Sequence, residues 1–201
     1  MISNLCNNIF RSCVEDYHLT DDVDVQQKNP YGDDTLENLL YTKNWIDTVQ
    51  WHLEDIIREP SIDPVLALQI KRRIDRSNQE RTDLVEQVDN YFLHQYAGVK
   101  QQPGCTINTE SPAWAIDRLS ILALKIYHMQ QEADRKEATE QHRKLCAAKL
   151  SVLLEQQTDL SNAIDELLKE IESGRKMMKV YRQMKMYNDP TLNPVLYGKK
   201  N

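Results

Sequence analysis

Residues 74–84 read Ile-Asp-Arg-Ser-Asn-Gln-Glu-Arg-Thr-Asp-Leu, so nine consecutive residues without an apolar side chain, the polar island Asp75–Asp83, separate two apolar ones. Apolar residues recur at helical spacing on both sides of it, at Leu66, Ile70, Ile74, Leu84, Val88 and Phe92. A helix in a bundle normally repeats an apolar residue every three or four positions. Ser77 and Arg81 stand where that stripe should continue. The pattern predicts one long helix whose packed face needs polar partners in its middle.

Helical patterns also fill the rest of the chain. The five Gly and seven Pro residues cluster near residues 30–32, 60–64, 98–104, 111–112, 174 and 190–198, and no segment has the period of a strand. We therefore predict an all-α bundle of four long helices, with an additional N-terminal helix and a basic C-terminal tail. We predict a single domain, divided into residues 1–28 (N-terminal helix and acidic linker), 29–174 (bundle) and 175–201 (tail).

The helix boundaries follow from capping residues. Asp63 and Ser111 each precede a proline, the arrangement typical of a helix start. The apolar stripe lapses between residues 134 and 139, which predicts a turn there, and Gly174 is suited to follow the last long helix. A short helix is predicted at residues 177–186.

The composition limits the location. The mean hydropathy is -0.65, and no segment approaches the ~20 apolar residues of a spanning helix. The four cysteines have no Cys-x-x-Cys spacing, which favours free thiols. We predict a cytoplasmic protein without a membrane span.

Charge and apolar patterning predict the partners. Residues 175–201 carry seven Lys/Arg and one acid, Asp189, for a net +6, so residues 1–174 must carry -12 to give the total of -6. We expect this tail to dock on the acidic body, burying Met178, Tyr181, Met184 and Tyr187. The sequence pI of 5.4 argues against nucleic acid as a partner. Residues 119–124 are apolar on more than one face, which predicts a homodimer.

Helix register predicts a candidate site. If the second and third helices form an antiparallel hairpin that turns at residues 60–64, the numbers of residues that face each other sum to 123 or 124. This register places residues 41–48, with Lys43, Asn44 and Asp47 among them, beside the polar island. On the fourth helix, counted from the N-terminal one, residues 114, 118, 121, 125 and 128 share one face. Guanidinium, ammonium and amide donors that converge between helices suit an anion. The predicted ligand-binding residues are Lys43, Asn44, Asp47, Arg76, Asn78, Arg81, Arg118, Lys125 and His128. The alternative is a network of ion pairs that fixes helix register and binds no ligand.

An enzymatic alternative stays open. An all-α, metal-dependent nucleotide or phosphate hydrolase needs paired carboxylates for Mg²⁺, and the candidates are Glu54, Asp55, Asp83 and Glu86. The predicted register separates the first two from Asp83 by ~20 Å, so the leading prediction has no metal and no cofactor. Of the five histidines only His18 has Glu three positions before it, at Glu15, whereas a di-iron bundle needs this motif on two helices; the sequence therefore excludes a di-iron bundle.

Three segments, residues 43–55, 71–83 and 108–128, resemble an uncharacterised bacterial family defined as a domain of unknown function, several members of which are encoded among cell-envelope polysaccharide genes. The most specific part is Asp117-Arg-Leu-Ser-Ile-Leu-Ala-Leu-Lys-Ile126. The resemblance implies a helical fold and brings no activity. We predict a protein that binds an anionic small molecule or a partner in an inter-helix polar groove, linked by the resemblance to envelope polysaccharide metabolism. The phosphohydrolase and a ligand-free structural interaction protein are the alternatives.

Overall fold

The computed structural model describes residues 1–186 and 189–198, and this part of the chain contains six helices: α1 (Ile2–Tyr17), α2 (Leu36–Ile56), α3 (Pro64–Gln95), α4 (Pro112–Asp134), α5 (Glu140–Glu172) and α6 (Pro194–Tyr197). Within these ranges no strand forms, and the only β-type pairing is an isolated bridge between Thr106 and Lys176. The predicted all-α bundle is therefore confirmed. No helix in the described ranges is both long enough and apolar enough to cross a membrane.

The long helices begin at the predicted caps. The Asp63 side chain accepts hydrogen bonds from the backbone N–H groups of Val65 (3.0 Å) and Leu66 (2.9 Å), two donors that have no partner inside the helix. Ser111 caps α4 in the same way. The predicted turn separates α4 from α5, and Gly174 follows α5 with φ +73°. Capping and turn residues thus set the lengths of the helices.

The core lies where α1 packs against α2, α4 and α5. α1 contributes a complete buried face, because its apolar residues recur every three or four positions. The largest fully buried side chains are Tyr17, Tyr41, Phe10, Phe92, Ile9, Leu40, Leu53, Ile116, Leu119, Leu124, Ile164 and Val14. A smaller cluster of Leu53, Ile70 and Ile74 closes the end of the α2–α3 hairpin.

The α2–α3 register differs from the predicted one by about one turn. Asp47 contacts Arg81, and Gln50 bonds to both Ser77 and Asn78, so facing residue numbers sum to 127 or 128 rather than 123 or 124. The cause is the asymmetry of the connection, since the first two turns of α3 extend past the end of α2. Their side chains are accordingly exposed at Val65, Leu66 and Leu68.

The tail docks through polar contacts and through Met178, whereas two of the apolar residues predicted to anchor it are exposed. Tyr181 is 72% and Met184 88% exposed, so the prediction that they are buried is wrong; Met178 is half-buried and Tyr187 lies outside the described residues. Arg182 instead contacts Glu86 (3.2 Å).

The helix predicted at residues 177–186 does not form. The backbone N–H of Met177 bonds to the carbonyl of Thr106 (2.9 Å), and that of Gln183 bonds to Glu86 Oε1 (3.0 Å). Because these backbone donors are used by other elements, the segment remains extended across α3.

The apolar segment 119–124 belongs to the core of its own chain. Leu119, Leu122, Ala123 and Leu124 are all buried, because α4 is covered by α1, α2 and α5. This segment therefore gives no support to a homodimer.

Candidate functional site

A buried ion-pair network connects α2, α3 and α4. Lys43 lies one helical turn before Asp47 on α2 and contacts both Asp47 and Asp117, the latter at 2.7 Å. Arg81 of α3 donates from Nε (3.0 Å) and Nη2 (2.6 Å) to the two oxygens of Asp117, and its Nε lies 3.1 Å from Asp47 Oδ1. Two cations and two carboxylates therefore balance inside the bundle.

Neutral side chains extend the network. Asn44 donates to the Ser120 hydroxyl (2.8 Å), and Ser120 donates to Asp47 Oδ2 (2.6 Å). Ser120 therefore bonds to one oxygen of the Asp47 carboxylate, while Arg81 lies near the other. Buried polar groups are stable only when they are paired in this way.

The two carboxylates have different protonation behaviour. Complete burial raises the pKa of Asp47, and the negative charge of Asp117 acts in the same direction, against Lys43 and Arg81. Burial also acts to raise the pKa of Asp117, but Lys43 and Arg81 outweigh it and hold that pKa below its ordinary value. Asp117 is therefore the carboxylate whose charge the cations stabilise most.

The polar island supplies further polar contacts between α2 and α3. Ser77 donates to Gln50 Oε1 (3.1 Å), and Gln50 donates to Asn78 Oδ1 (2.9 Å). Lys185 of the tail donates to the carbonyl of Asn78 (2.8 Å) and to the hydroxyl of Thr82 (2.5 Å). The polar residues at stripe positions therefore pair across helices, as their pattern predicts.

Arg81 lies between two cavities. One, of about 480 Å³, is formed by α3, α4 and α5 and includes Arg81, Arg118 and Lys125 against Asp117 and Asp159; we call it the cationic groove. The second, of about 350 Å³, includes Arg58 and Arg81 against Asp47, Glu54 and Asp55. Counting ionisable side chains gives +1 for the cationic groove and -1 for the second cavity.

A family model described as "Protein of unknown function (DUF4254)" matches residues 37–180, more than two thirds of the chain. The chain belongs to the DUF4254 family. The match contains the whole ion-pair network and both cavities, and it confirms the predicted resemblance to a family of unknown function. α1 lies outside it. No curated protein and no solved structure matches this DUF4254 chain.

The structure brings together part of the predicted site. Lys43, Asn44, Asp47 and Arg81 meet in the buried network of this DUF4254 protein, and Arg118 and Lys125 line the cationic groove beside it.

Three predicted residues lie elsewhere. Asn78 pairs with Gln50, and Arg76 is exposed in a separate cavity of about 570 Å³ beside the acidic linker. The one-turn shift in register accounts for both. His128 lies among other histidines near the end of α2.

Asp117 and Ser120 complete the network but are not in the predicted set. They occur in an apolar stretch where Arg118 follows Asp117, a neighbouring pair that is typical of an exposed surface. Two features of the sequence could have identified them. Both lie in the segment of strongest family resemblance, and both share a face of α4 that is otherwise apolar.

The carboxylates proposed for Mg²⁺ do not form one group. Glu54 and Asp55 line the second cavity and lie within salt-bridge distance of Arg58. Glu86 contacts Arg182, and Asp83 accepts a hydrogen bond from Gln79 at the surface. Among the described residues, the groups able to surround a metal ion contain histidines instead.

Proposed function

We propose that this DUF4254 protein binds an anionic small molecule, through a phosphate or carboxylate group, in the cationic groove. The observation that carries the proposal is the convergence of Arg81, Arg118 and Lys125 on one cavity. A cavity of about 480 Å³ has the size of a small-molecule site. The charge of the second cavity disfavours an anion there.

The buried network has a positioning role in this proposal. Asp117 holds Arg81 through two hydrogen bonds, a geometry that fixes the guanidinium plane. Nη1 of Arg81 has no hydrogen-bond partner in the part of the chain that the structure describes. A guanidinium held in this way presents remaining donors to a ligand with little further loss of side-chain entropy.

The other two cations differ in their availability. Lys125 is exposed and makes no ion pair with any described residue, whereas Arg118 contacts Glu110 (2.8 Å) at the surface. An incoming anion therefore gains Lys125 without breaking a contact and gains Arg118 by exchange with Glu110. Both contacts are solvent-exposed, so we expect the affinity to fall as salt increases.

The link to envelope polysaccharides rests on the family resemblance alone. A hexose phosphate or a nucleotide sugar has the chemistry that this link requires, since each combines phosphate oxygens with hydroxyl groups. Gln156 and Asp159, which also line the groove, could bond to hydroxyls.

Calorimetric titration tests the proposal. Inorganic phosphate, pyrophosphate, a hexose phosphate and a nucleotide sugar would each be titrated into wild type and into Lys125→Met. We expect saturable binding to wild type and at least a tenfold loss of affinity in the variant, about 1.4 kcal/mol.

Lys149→Met is the matched control. Lys149 is exposed on α5, outside the groove, so its replacement removes the same charge without touching the site. Equal losses in both variants would indicate nonspecific attraction. No binding of any of the four anions would refute the proposal and favour the ligand-free structural role.

The proposal also includes a homodimer and a cytoplasmic location. The exposed Val65, Leu66 and Leu68 on the protruding start of α3 are suited to pack on a second copy. The four free cysteines, three of them buried, suit a reducing compartment. Light scattering of wild type and Leu68→Glu tests the dimer, and a monomeric wild type at high concentration would contradict it.

A further inference from the structure

Three histidines meet where α1, α2 and α4 converge. His18 follows α1 as its C-cap, His52 lies near the end of α2, and His128 lies in the last third of α4. The ligand nitrogens of the three rings lie within 4.8 Å of one another. We propose that His18, His52 and His128 bind a divalent transition-metal ion, with zinc as the preferred ion.

The closest nitrogens have the spacing of a zinc site. His18 Nε2 and His52 Nε2 are 3.2 Å apart. Zn–N bonds of about 2.0–2.1 Å place two ligands of a tetrahedral ion about 3.3 Å apart. The distance between these two nitrogens is therefore that of two ligands on one zinc ion.

The hydrogen bonding of His18 prepares it for a metal. Its Nδ1 lies 2.7 Å from the carbonyl of Val14 and donates to it in the neutral ring, which leaves the lone pair on Nε2. A backbone carbonyl behind a histidine is the usual way in which proteins fix a metal-binding tautomer.

His128 distinguishes a metal site from a hydrogen-bonded pair. Without a metal, His52 could donate to His18 and both nitrogens would be satisfied. Nε2 of His128, in contrast, is buried and has no hydrogen-bond partner in the described ranges. A buried, unpaired nitrogen is costly. An ion coordinated by all three rings would satisfy it.

Aromatic side chains hold the rings in place. Trp51 stacks on His128 at 4.9 Å between centroids, Tyr17 stacks on His52 at 5.0 Å, and Tyr127 contacts His18 at 4.3 Å. Asp21 Oδ1 lies 3.8 Å from His52 Nε2. Three nitrogens leave the fourth position of a tetrahedral ion to this carboxylate or to water.

A second group, Glu132, His142 and Cys146, could also collect a metal. His142 Nε2 already contacts Glu132 (2.8 Å) and lies 3.3 Å from Cys146 Sγ. The side chains of Glu132 and His142 are both about 40% exposed. The His142 nitrogen that faces the other two side chains, Nε2, therefore already has partners in this group. Cobalt bound to the Cys146 thiolate would show a charge-transfer band that cobalt bound only to histidines lacks, so absorption spectra distinguish the two sites.

Cobalt substitution tests the proposal on the full chain. Co²⁺ titrated into metal-free protein should give visible d–d absorption that saturates at about one equivalent, because four-coordinate Co²⁺ imitates zinc. Nitrogen and oxygen ligands give no thiolate-to-cobalt charge transfer. Zn²⁺ should displace the cobalt and remove the absorption. A charge-transfer band lost in Cys146→Ser, without a separate d–d component, would overturn the proposal.

Variants assign the ligands. His52→Gln and His128→Gln should each weaken Co²⁺ binding by at least about 100-fold, since even indirect support of a metal ligand contributes about 10–100-fold. His94→Gln, at an exposed position on α3, is the matched control and should bind as wild type does. Unaltered affinity in both folded cluster variants would overturn the proposal.

X-ray absorption of the zinc-loaded wild type keeps the test independent of variant folding. We expect a shell of nitrogen and oxygen scatterers with imidazole features and no sulfur. A zinc–sulfur shell, or no zinc retained after gel filtration, would overturn the proposal. Neither result bears on the cationic groove, whose test uses anions in the absence of metal.

Discussion

Replacing Asp117 by Asn should be among the most destabilising conservative changes in this protein. The variant leaves the buried Lys43 and the partly buried Arg81 with one carboxylate in place of two, and it removes three charge-assisted contacts of 2.6–3.0 Å. Removing one partner of a buried ion pair costs about 3–5 kcal/mol. At about 2–4 °C per kcal/mol for a domain of this size, the melting temperature should fall by roughly 6–20 °C.

Asp47→Asn should cost less, although Asp47 is the more completely buried carboxylate. Because burial raises the pKa of Asp47, whereas that of Asp117 is lowered, the fold stabilises the charged form of Asp47 less than that of Asp117. An amide oxygen can also accept the hydrogen bond from Ser120. Asp159→Asn, at an exposed position in the cationic groove, is the matched control and should change the free energy of unfolding by less than about 0.5 kcal/mol.

The pH dependence provides a second measurement. The folded-state pKa of Asp117 is lowered, so its stabilising contribution is present above the unfolded pKa of about 3.9 and is lost as the pH falls through the folded value. In urea denaturation, the difference between wild type and Asp117→Asn should be constant near neutral pH and shrink below about pH 4. A cost below about 1 kcal/mol at pH 7, or one no greater than that of Asp47→Asn, would refute the reasoning.

Three further predictions concern the frame around the site. Gly174→Ala should lower the free energy of unfolding by more than about 1 kcal/mol, since the residue has φ +73° and a Cβ there would lie 2.3 Å from the carbonyl oxygen of Lys100. Gly98→Ala is the control and should change this free energy far less, because a Cβ at Gly98 would have no atom within 4 Å. Equal effects of the two substitutions would contradict this explanation. Deleting residues 1–18 should abolish cooperative thermal unfolding because α1 fills the core, whereas deleting residues 194–201, whose described helix buries no side chain, should leave the melting curve unchanged. Lys185→Met should cost about 1 kcal/mol in urea denaturation through the loss of its bonds to α3; an unaltered midpoint would mean that the tail is not held there.

Capping and turn residues made the helix boundaries predictable from the sequence. The register between α2 and α3 depended instead on packing between residues that are far apart in the sequence. Asp63, Ser111 and Gly174 act within one turn of their own position, so the sequence reveals their effect directly. The height at which α2 meets α3 depends on how the Leu53, Ile70 and Ile74 cluster packs beyond the connecting turn. No local pattern records that packing, and the error of one turn displaced Arg76 and Asn78 from the predicted site.

The candidate site was predictable only in part for a similar reason. Lys43 and Asp47 are one turn apart and can be paired from the sequence alone, whereas Asp117 joins them across a separation of 74 residues from Lys43. The histidine cluster is harder still. Its three rings come from three helices, and one of them lies just beyond a helix end.

The position of α1 also affects how the chain can fold. The Ser3 hydroxyl donates to Asp165 Oδ2 (2.5 Å) across 162 residues, and Asn7 bonds to Ser161 (3.0 Å) across 154. Contacts of such wide sequence separation slow folding, because the chain must close a long loop before they form. α1 is synthesised before α5 and therefore waits for the second half of α5 before these contacts can form. Until then its apolar face has no complete partner, and the nascent chain exposes a surface on which a chaperone could act.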